Sequence, residues 1–256
     1  MGWLRLSDGK KPLYRVPVTL PGTGGSADWD ISLPATFGHF WDQIDASGYE
    51  LRITDADGVT ILAHQLSSFN RTNRTGSVQL DAYTTGSSAV NVVWLYYGIS
   101  GASNAGSVLT ITSAQTGYID EAAALGPILV PDLEVAGANA PRAKVQKTST
   151  DEAWIYLDFS GLLTPRAVPS DSLPPVWEEL KQISYGIYSG ASAQAGMVDA
   201  TKTRVLGRNV VRFLAKAGTS GTDYTLRVTW ISAFPSGQTG QTRQGRVLLK
   251  VKDLTE

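Results

Sequence analysis

Few residues of this sequence are placed to do chemistry, and the clearest candidates are the carboxylates of Asp55 and Asp57, which precede Gly58. Closely spaced carboxylates followed by a glycine turn begin many calcium-binding loops. The rest of such a loop is missing, because apolar and hydroxyl residues follow and the next carboxylate is Asp81. The pattern therefore predicts a hairpin turn. Asp55 and Asp57 are the only metal-ligand candidates that the sequence suggests. No cofactor is expected.

The two histidines, His39 and His64, are too few for an all-histidine metal centre. No Gly-x-Ser-x-Gly segment accompanies them, so the signature of one large class of serine hydrolases is absent. Two acidic pairs, Glu178–Glu179 and Asp28 with Asp30, are interpreted as solvated, because nothing in the sequence brings them to one sugar cleft. The sequence predicts no catalytic residue and no enzymatic activity. An enzyme would need a cleft that gathers a histidine with a carboxylate pair.

Seven tryptophans supply the remaining candidate chemistry, because an exposed indole ring can stack on a sugar. Alternation of apolar and polar residues places Trp94, Trp154 and Trp230 in the core. Alternation does not assign Trp29 and Trp41 to the core, so these two residues are the candidates for glycan binding. A concave groove lined by either of them would favour glycan binding.

The net charge of −1 provides no overall field that would attract the chain to nucleic acid or to an acidic membrane. Residues 1–127 carry 7 basic and 11 acidic side chains, which gives −4, and residues 128–256 carry 15 and 12, which gives +3. This asymmetry could orient copies of the chain head to tail. Neither nucleic acid nor a membrane is expected as a partner.

Four basic residues cluster in the C-terminal half, namely Lys202, Arg204, Arg208 and Arg212. They are interpreted as a solvated basic face or as a contact for an acidic neighbour in an assembly. No interleaved aromatic residues support nucleic-acid binding here.

Composition predicts that an all-β fold positions these residues. The chain has 26 glycines, only 18% charged residues and many β-branched positions, which favours strands and tight turns. It has no cysteine, so packing alone must hold the core. Residues 14–20 alternate as a strand, and Pro17 fits an edge position because it lacks an amide donor.

Further strands follow from local patterns. Residues 49–54 and 59–62 are predicted to be the arms of the hairpin around Asp57 and Gly58. Residues 90–97 are apolar on nearly both faces, which predicts a core strand with a layer on each side. Residues 108–112 are predicted to form one more strand.

A change in composition divides the chain. Asp120–Pro127 is predicted to make one helical turn that ends at Gly126. The following segment is rich in alanine, proline and glycine, and residues 128–150 are predicted to be a junction. Two domains are expected, residues 1–127 and residues 151–256, each with a core of its own.

The chain closes with a predicted hairpin. Residues 224–230 alternate as a half-buried strand, and residues 247–251 form the last strand. Residues 236–245 contain no apolar residue and are predicted to be a long loop. A second long loop, rich in proline, is expected at residues 164–175. The candidate protein contacts in these loops are Ser236, Gln238, Thr239, Gln241, Arg243, Arg166 and Asp171.

The N-terminal half contains an ordered set of motifs. An aromatic segment at residues 40–42 comes first, and an acidic and aliphatic strand with an Asp-Gly turn follows at residues 51–58. An aliphatic run at residues 61–63 comes next, and an aromatic strand that ends with Tyr-Tyr-Gly lies at residues 94–98. With this order, residues 37–98 resemble a jelly-roll module of unknown function that occurs in secreted bacterial and archaeal proteins and in phage structural proteins. The resemblance implies a jelly-roll, concanavalin-like sandwich and carries no catalytic residue.

The C-terminal half contains a second set of motifs. Trp154–Phe159 form a strand, a Gly-x-x-Gly-x-x-Tyr turn spans residues 218–224, and Gly245–Arg246 open the last strand. Residues 150–251 thereby resemble the Ig-like domain of phage fiber-tail adaptor proteins. The resemblance implies an Ig-like β-sandwich. The long tip and the proline-rich loop depart from that pattern and are expected to be contact surfaces.

Together the two resemblances imply a structural protein of a tailed-phage virion, acting as a tail or appendage adaptor or as a capsid decoration protein. Its expected partners are other virion proteins and copies of itself. The alternative is a carbohydrate-binding surface module that takes a host-surface glycan on the candidate tryptophans. The N-terminus has no signal-peptide core, so synthesis in the host cytoplasm is expected. The two resemblances imply a location in the virion.

Overall fold

A computed structural model gives the fold and describes residues 4–7, 9–87, 89–99, 101–103, 109–119, 128–129, 132–133, 143–163, 165–166, 176–206, 209–233 and 239–253. Within these ranges the chain has nineteen strands, one short α-helix and two 3₁₀ turns. The predicted all-β class is therefore confirmed.

The strands are numbered in chain order. They are β1 (Tyr14–Pro21), β2 (Ser26–Ser32), β3 (Arg52–Thr54), β4 (His64–Asn70), β5 (Thr75–Thr84), β6 (Ala89–Tyr97), β7 (Ala114–Ile119), β8 (Ile128–Leu129), β9 (Asp132–Leu133), β10 (Lys144–Lys147), β11 (Ala153–Asp158), β12 (Pro165–Arg166), β13 (Val176–Trp177), β14 (Glu179–Ser189), β15 (Ser192–Ala193), β16 (Arg204–Leu206), β17 (Val210–Ala215), β18 (Asp223–Ala233) and β19 (Thr239–Val251). Helix α1 spans Gly38–Gln43, and the 3₁₀ turns span Ser160–Leu162 and Ala200–Lys202.

Thirteen of the described strands belong to one sheet, whose order is β10-β19-β18-β14-β6-β1-β7-β2-β5-β4. Strands β15, β3 and β9 pair with β14, β6 and β19 beside this path. A four-stranded sheet has the order β16-β17-β11-β8, and β12 pairs with β13. This strand order establishes the all-β class. The assignment of the two halves to a jelly-roll and an Ig-like sandwich is more specific and stays a prediction.

The N-terminal core lies between α1 and strands β1, β2, β5 and β6. Alternate residues of each strand point into it, as the period of two requires. Its buried members include Val18, Leu20, Trp29, Ile31, Phe40, Trp41, Val78, Leu80, Val93 and Leu95.

Strand β1 is confirmed, but it is an interior strand. It pairs with β6 along its whole length and with β7 at Val18 and Thr19. Pro17 pairs with Trp94 of β6, and the described pairs between β1 and β7 involve Val18 and Thr19. The polar side of β1 is covered as well, since Thr19 is fully buried and its hydroxyl accepts a hydrogen bond from the Val205 amide at 2.9 Å.

The hairpin at residues 55–58 is confirmed in shorter form than predicted. The Asp55 amide donates to the Thr60 carbonyl at 2.9 Å, and Gly58 has a φ of 73°, which favours glycine. The first arm is β3 alone. The second arm makes one bridge, between Thr54 and Ile61, instead of a strand.

Strand β6 is buried along its whole length, which confirms the prediction of a core strand with a layer on each side. Val93, Leu95 and Tyr97 lie in the N-terminal core. Trp94 and Tyr96 pack in a small cluster with Leu4. Val90 and Val92 of the same strand lie in the core of the C-terminal half.

Strand β6 also joins the two halves by backbone pairing. Its residues 89–91 pair with residues 182–184 of β14, so the large sheet continues from one half into the other. The division into domains 1–127 and 151–256 stays a prediction. The described strands on its two sides share a sheet and a core.

The C-terminal core lies between the four-stranded sheet and the β14-β18-β19 part of the large sheet. Its buried members include Ile155, Leu157, Ile183, Val211, Phe213, Leu226, Trp230, Val247 and Leu249. The core positions of Trp94 and Trp230 are confirmed, with Trp230 fully buried. The prediction for Trp154 was wrong, because this side chain is 40% exposed on the other face of β11.

The polar tip of the closing hairpin is mostly strand rather than loop. Strand β19 begins at Thr239, and residues 242–245 pair with residues 228–231 of β18. A backbone ladder needs no apolar side chains, and the exposed positions of this arm carry the polar residues. The prediction of a strand at residues 108–112 is wrong for residues 109–112, which are not in a strand, and the helical turn at 120–127 lies outside the described residues.

Candidate functional site

The carboxylates of Asp55 and Asp57 accept hydrogen bonds from neighbouring protein groups. Asp57 Oδ1 accepts two backbone amides of the turn, both at 2.9 Å, and its Oδ2 accepts the Thr60 hydroxyl at 2.5 Å. Asp55 Oδ1 accepts the Tyr83 hydroxyl at 2.7 Å, and burial together with this carboxylate raises the pKa of Tyr83. Within the described residues, no group of three or more His, Asp or Glu could hold a metal ion.

Both histidines pack against the N-terminal core. His64 is buried, with Nδ1 2.7 Å from the Leu62 carbonyl and Nε2 3.2 Å from the Leu51 carbonyl. Burial lowers the pKa of His64, which favours the neutral ring. His39 places Nδ1 3.1 Å from the Tyr97 hydroxyl. Among the described residues neither ring hydrogen-bonds to a carboxylate, so the arrangement is not that of a catalytic relay.

The two glycan candidates, Trp29 and Trp41, are both buried, at 1% and 2% exposure. The Trp41 ring stacks on Phe69 with centroids 5.5 Å apart, and its Nε1 donates to the Pro34 carbonyl at 2.9 Å. The Trp29 Nε1 donates to the Tyr83 carbonyl at 3.4 Å. Neither candidate indole therefore offers an exposed stacking face, because both rings fill the N-terminal core.

Each buried tryptophan nevertheless borders a concavity. Trp41 borders a surface hollow of about 600 Å³ beside Asp42, Arg71 and Arg74. The Arg71 guanidinium beside this hollow is held in place by two hydrogen bonds, which it donates to the Trp41 and Asp42 carbonyls at 3.0 and 3.1 Å. Trp29 borders a smaller cleft between the two halves of the chain.

Glu178 and Glu179 are buried, so the interpretation of this pair as solvated was wrong. Glu179 Oε1 lies 2.7 Å from Arg15 Nη2, and both side chains are almost fully covered. The Arg15 guanidinium lies 4.0 Å from the Trp94 ring centroid and donates to the Tyr96 hydroxyl at 3.3 Å. A buried carboxylate needs such partners, because desolvation strongly disfavours an isolated charge.

The neighbouring Glu178 anchors the closing hairpin. Its Oε2 lies 3.1 Å from Arg243 Nη1, and its Oε1 accepts the Ser232 hydroxyl at 2.9 Å. Arg243 Nη1 also donates to the Leu162 carbonyl, and its Nη2 donates to Gln241 Oε1 at 2.6 Å. Arg243, predicted as a contact residue, thus fixes the turn end of the hairpin from inside.

The other contact candidates have different placements. Gln241 is exposed, while Thr239 opens β19 and Arg166 closes β12. Ser236, Gln238 and Asp171 lie outside the described residues. The prediction that these residues contact partners stays a prediction.

The predicted basic face is only partly solvated. Lys202 is exposed, whereas Arg204 is 9% exposed and lies with its guanidinium 3.7 Å from the Tyr118 ring centroid. Arg212 lies 4.6 Å from the ring centroid of the exposed Trp154. Arg208 lies outside the described residues. Two of the three described side chains, Arg204 and Arg212, therefore pack on aromatic rings, which suits the flat guanidinium group.

Sequence patterns missed the charge pairs because the partners are far apart in the chain. Arg15 and Glu179 are separated by 164 residues. The one available signal was the polar side of β1, where Arg15, Pro17 and Thr19 alternate with apolar residues. That alternation shows which residues share a face, but not that the other half of the chain covers this face.

No protein-family model matches the sequence, and no curated protein matches it. Within the part of the chain that the structure describes, no helix is long and apolar enough to cross a membrane.

Proposed function

We propose that this chain is a structural protein of a tailed-phage virion, a tail or appendage adaptor or a capsid decoration protein, which works by docking to other virion proteins and to copies of itself. In this proposal its N-terminal part is a jelly-roll module and its C-terminal part an Ig-like module. The two resemblances in the sequence support the class of protein.

The observation that carries the proposal is the continuous sheet across the two halves. Strands β6 and β14 pair directly, and the Arg15–Glu179 pair closes the same junction from buried positions. An adaptor that holds two neighbouring proteins at a fixed distance and angle needs its two halves to be joined firmly. A docking surface that is already ordered loses less conformational entropy on binding.

The closing hairpin is the proposed docking element. Its arm exposes Gln241, Thr242 and Gln244, while Arg243 between them is held by Glu178. The arm thus presents neutral polar side chains on a fixed backbone. Neutral hydrogen-bonding groups at a fixed spacing suit an interface with a defined register.

The experiment is to measure incorporation of variants into particles. Particles are purified from a host that supplies the chain in trans, and the chain is quantified by mass spectrometry relative to the major particle protein. Thr242→Glu combined with Gln244→Glu is expected to reduce incorporation at least tenfold, because unpaired charges in an interface are costly to desolvate. Ser192→Glu, an exposed change on β15, is the matched control and is expected to incorporate normally.

Absence of the unmodified chain from purified particles would overturn the proposed role in the virion. Entry of the double variant into particles as efficiently as the control would overturn the assignment of the hairpin as the docking element.

A further inference from the structure

A cleft of about 260 Å³ lies where the two halves of the chain meet. The N-terminal half contributes Trp29 from β2 and Gln115, Thr116 and Tyr118 from β7. The C-terminal half contributes Tyr185 from β14 and Thr201 from the second 3₁₀ turn. We call it the junction cleft. Clefts between structural units are common places for small-molecule sites.

Two aromatic rings, Tyr118 and Tyr185, give the junction cleft its apolar surface. Trp29 borders the cleft from the core, where it is 1% exposed and donates its N–H to the Tyr83 carbonyl. Tyr118 and Tyr185 are half-buried and belong to opposite halves. Aromatic carbon surface of this kind binds the C–H face of a ring-shaped ligand.

Both tyrosines are held in place by neighbours. The Arg204 guanidinium lies 3.7 Å from the Tyr118 ring centroid and donates to the Thr203 carbonyl at 2.8 Å. The Tyr185 ring packs edge-to-face on Phe213, with centroids 5.2 Å apart. Burial raises the pKa of Tyr185, so its hydroxyl is neutral at physiological pH. The apolar surface is therefore formed before any ligand arrives.

The polar groups of the cleft are uncharged. Gln115, Thr116 and Thr201 are exposed and supply amide and hydroxyl groups, and among the described residues that line the cleft there is no carboxylate or cationic side chain. The nearby Asp199 carboxylate is already engaged, because it accepts the Thr201 hydroxyl at 2.6 Å and lies 3.3 Å from Lys216 Nζ. A charged ligand would lose its hydration here without gaining an opposite charge.

We propose that the junction cleft binds one neutral sugar ring, such as the terminal residue of a surface glycan. The aromatic surface takes the C–H face of the ring, and the amide and hydroxyl groups take its hydroxyls. The volume lies below the roughly 300–1,000 Å³ of sites for drug-sized ligands, which limits the occupant to about one ring. This site lies within a single chain and does not depend on the docking role.

The test is a titration of the full-length chain with neutral monosaccharides. Glucose, galactose, mannose and N-acetylglucosamine are followed by isothermal titration calorimetry and by saturation-transfer NMR, with glucuronic acid and sialic acid as charged controls. At least one neutral sugar is expected to bind once per chain with a Kd of about 1–10 mM, and the charged sugars are expected not to bind.

Variants locate the binding. Gln115→Ala, an exposed change, is expected to weaken binding severalfold, and Tyr185→Ala at least tenfold. Tyr188→Ala is the matched control, because Tyr188 lies on the same strand but under Arg227, outside the cleft. Thermal unfolding checks that each variant is folded.

Three results would overturn the proposal. They are the absence of binding by all four neutral sugars, a preference for the charged sugars, and neutral-sugar binding that Gln115→Ala and Tyr185→Ala both leave unchanged. None of these results bears on incorporation into particles.

Discussion

Arg15 and Glu179 are the residues that most directly tie the N-terminal half to the C-terminal half. Their side chains are 6% and 2% exposed and lie 2.7 Å apart, with the Trp94 ring beside the guanidinium. A buried pair of this kind is retained only if both charges stay partnered, because desolvation of either charge alone is very unfavourable. The pair therefore makes the junction sensitive to a single substitution.

We predict that Glu179→Ala lowers the free energy of unfolding by about 3–5 kcal/mol, because it leaves the Arg15 charge buried without its carboxylate. Urea denaturation measures the change. Asp223→Ala, which breaks the exposed Lys250–Asp223 pair at 3.6 Å, is the control and is expected to lose less than about 1 kcal/mol. Equal effects of the two substitutions would contradict this account of the junction.

His64 gives a prediction about pH. Burial lowers its pKa below the ordinary value of about 6.5, so the unfolded chain binds the proton more readily than the folded chain. The contribution of His64 to stability is therefore complete above about pH 6.5 and declines as the pH falls. An NMR titration of the ring, assigned with His39→Gln, is expected to give a midpoint below 6.5. A midpoint at or above 6.5 would refute the prediction that burial lowers the pKa of His64.

At the scale of elements, the closing hairpin depends on one close approach. A Cβ on Gly240 would lie 1.9 Å from the Ser232 carbonyl oxygen, so only glycine fits where β19 crosses the bulge in β18. The Ser232 hydroxyl accepts the Gln241 amide at 2.9 Å and donates to Glu178. The glycine and the buried carboxylate thus fix the same end of the hairpin.

We predict that Gly240→Ala disrupts this end of the hairpin and lowers the unfolding free energy by about 2 kcal/mol or more, since backbone atoms must move. Gly161→Ala is the matched control, because a Cβ there meets nothing within 4 Å. Hydrogen exchange is expected to show faster exchange of the Gln241 amide in the first variant only. Unchanged protection of that amide would contradict the prediction.

Local patterns predicted the elements that local forces determine. The apolar run of β6 and the Asp-Gly turn both appear in the structure, because burial on two faces and turn geometry leave a signature within ten residues. Trp154 shows the limit of such patterns. Alternation puts Trp154 on the same face of β11 as Tyr156, yet Tyr156 is 2% exposed and Trp154 is 40% exposed, so burial changes along one face in a way that only the packed structure reveals.

The candidate site was less predictable than the fold. The junction cleft combines β2 and β7 with β14, and no pattern in one segment indicates that Tyr118 and Tyr185 line the same space. Trp29 was identified from its residue type alone. Its burial follows from its position between Asp28 and Asp30, which places it on the inner face of β2 together with Ile31.

At the scale of the whole molecule, strand β6 serves both cores. Val93 and Leu95 pack in the N-terminal core, while Val90 and Val92 pack in the C-terminal core. A strand shared in this way couples the stability of the two halves, because loss of either core exposes apolar surface on the same strand.

We therefore predict that the chain unfolds in a single transition that fluorescence and circular dichroism report at the same denaturant concentration. A fragment of residues 1–127 is expected not to fold into a stable monomer, since it lacks β14 and leaves Val90 and Val92 uncovered. Two separate transitions, or a fragment with native-like chemical shifts, would instead support two independent domains.

Cryo-electron microscopy of intact particles is the decisive experiment for the proposal that the chain is a rigid docking protein of a virion. We expect density for both halves of the chain at a repeated position in the tail, appendage or capsid, with the closing hairpin against a neighbouring subunit. Particles that contain no density for the chain, while the chain remains free and monomeric in the same lysate, would refute the proposal.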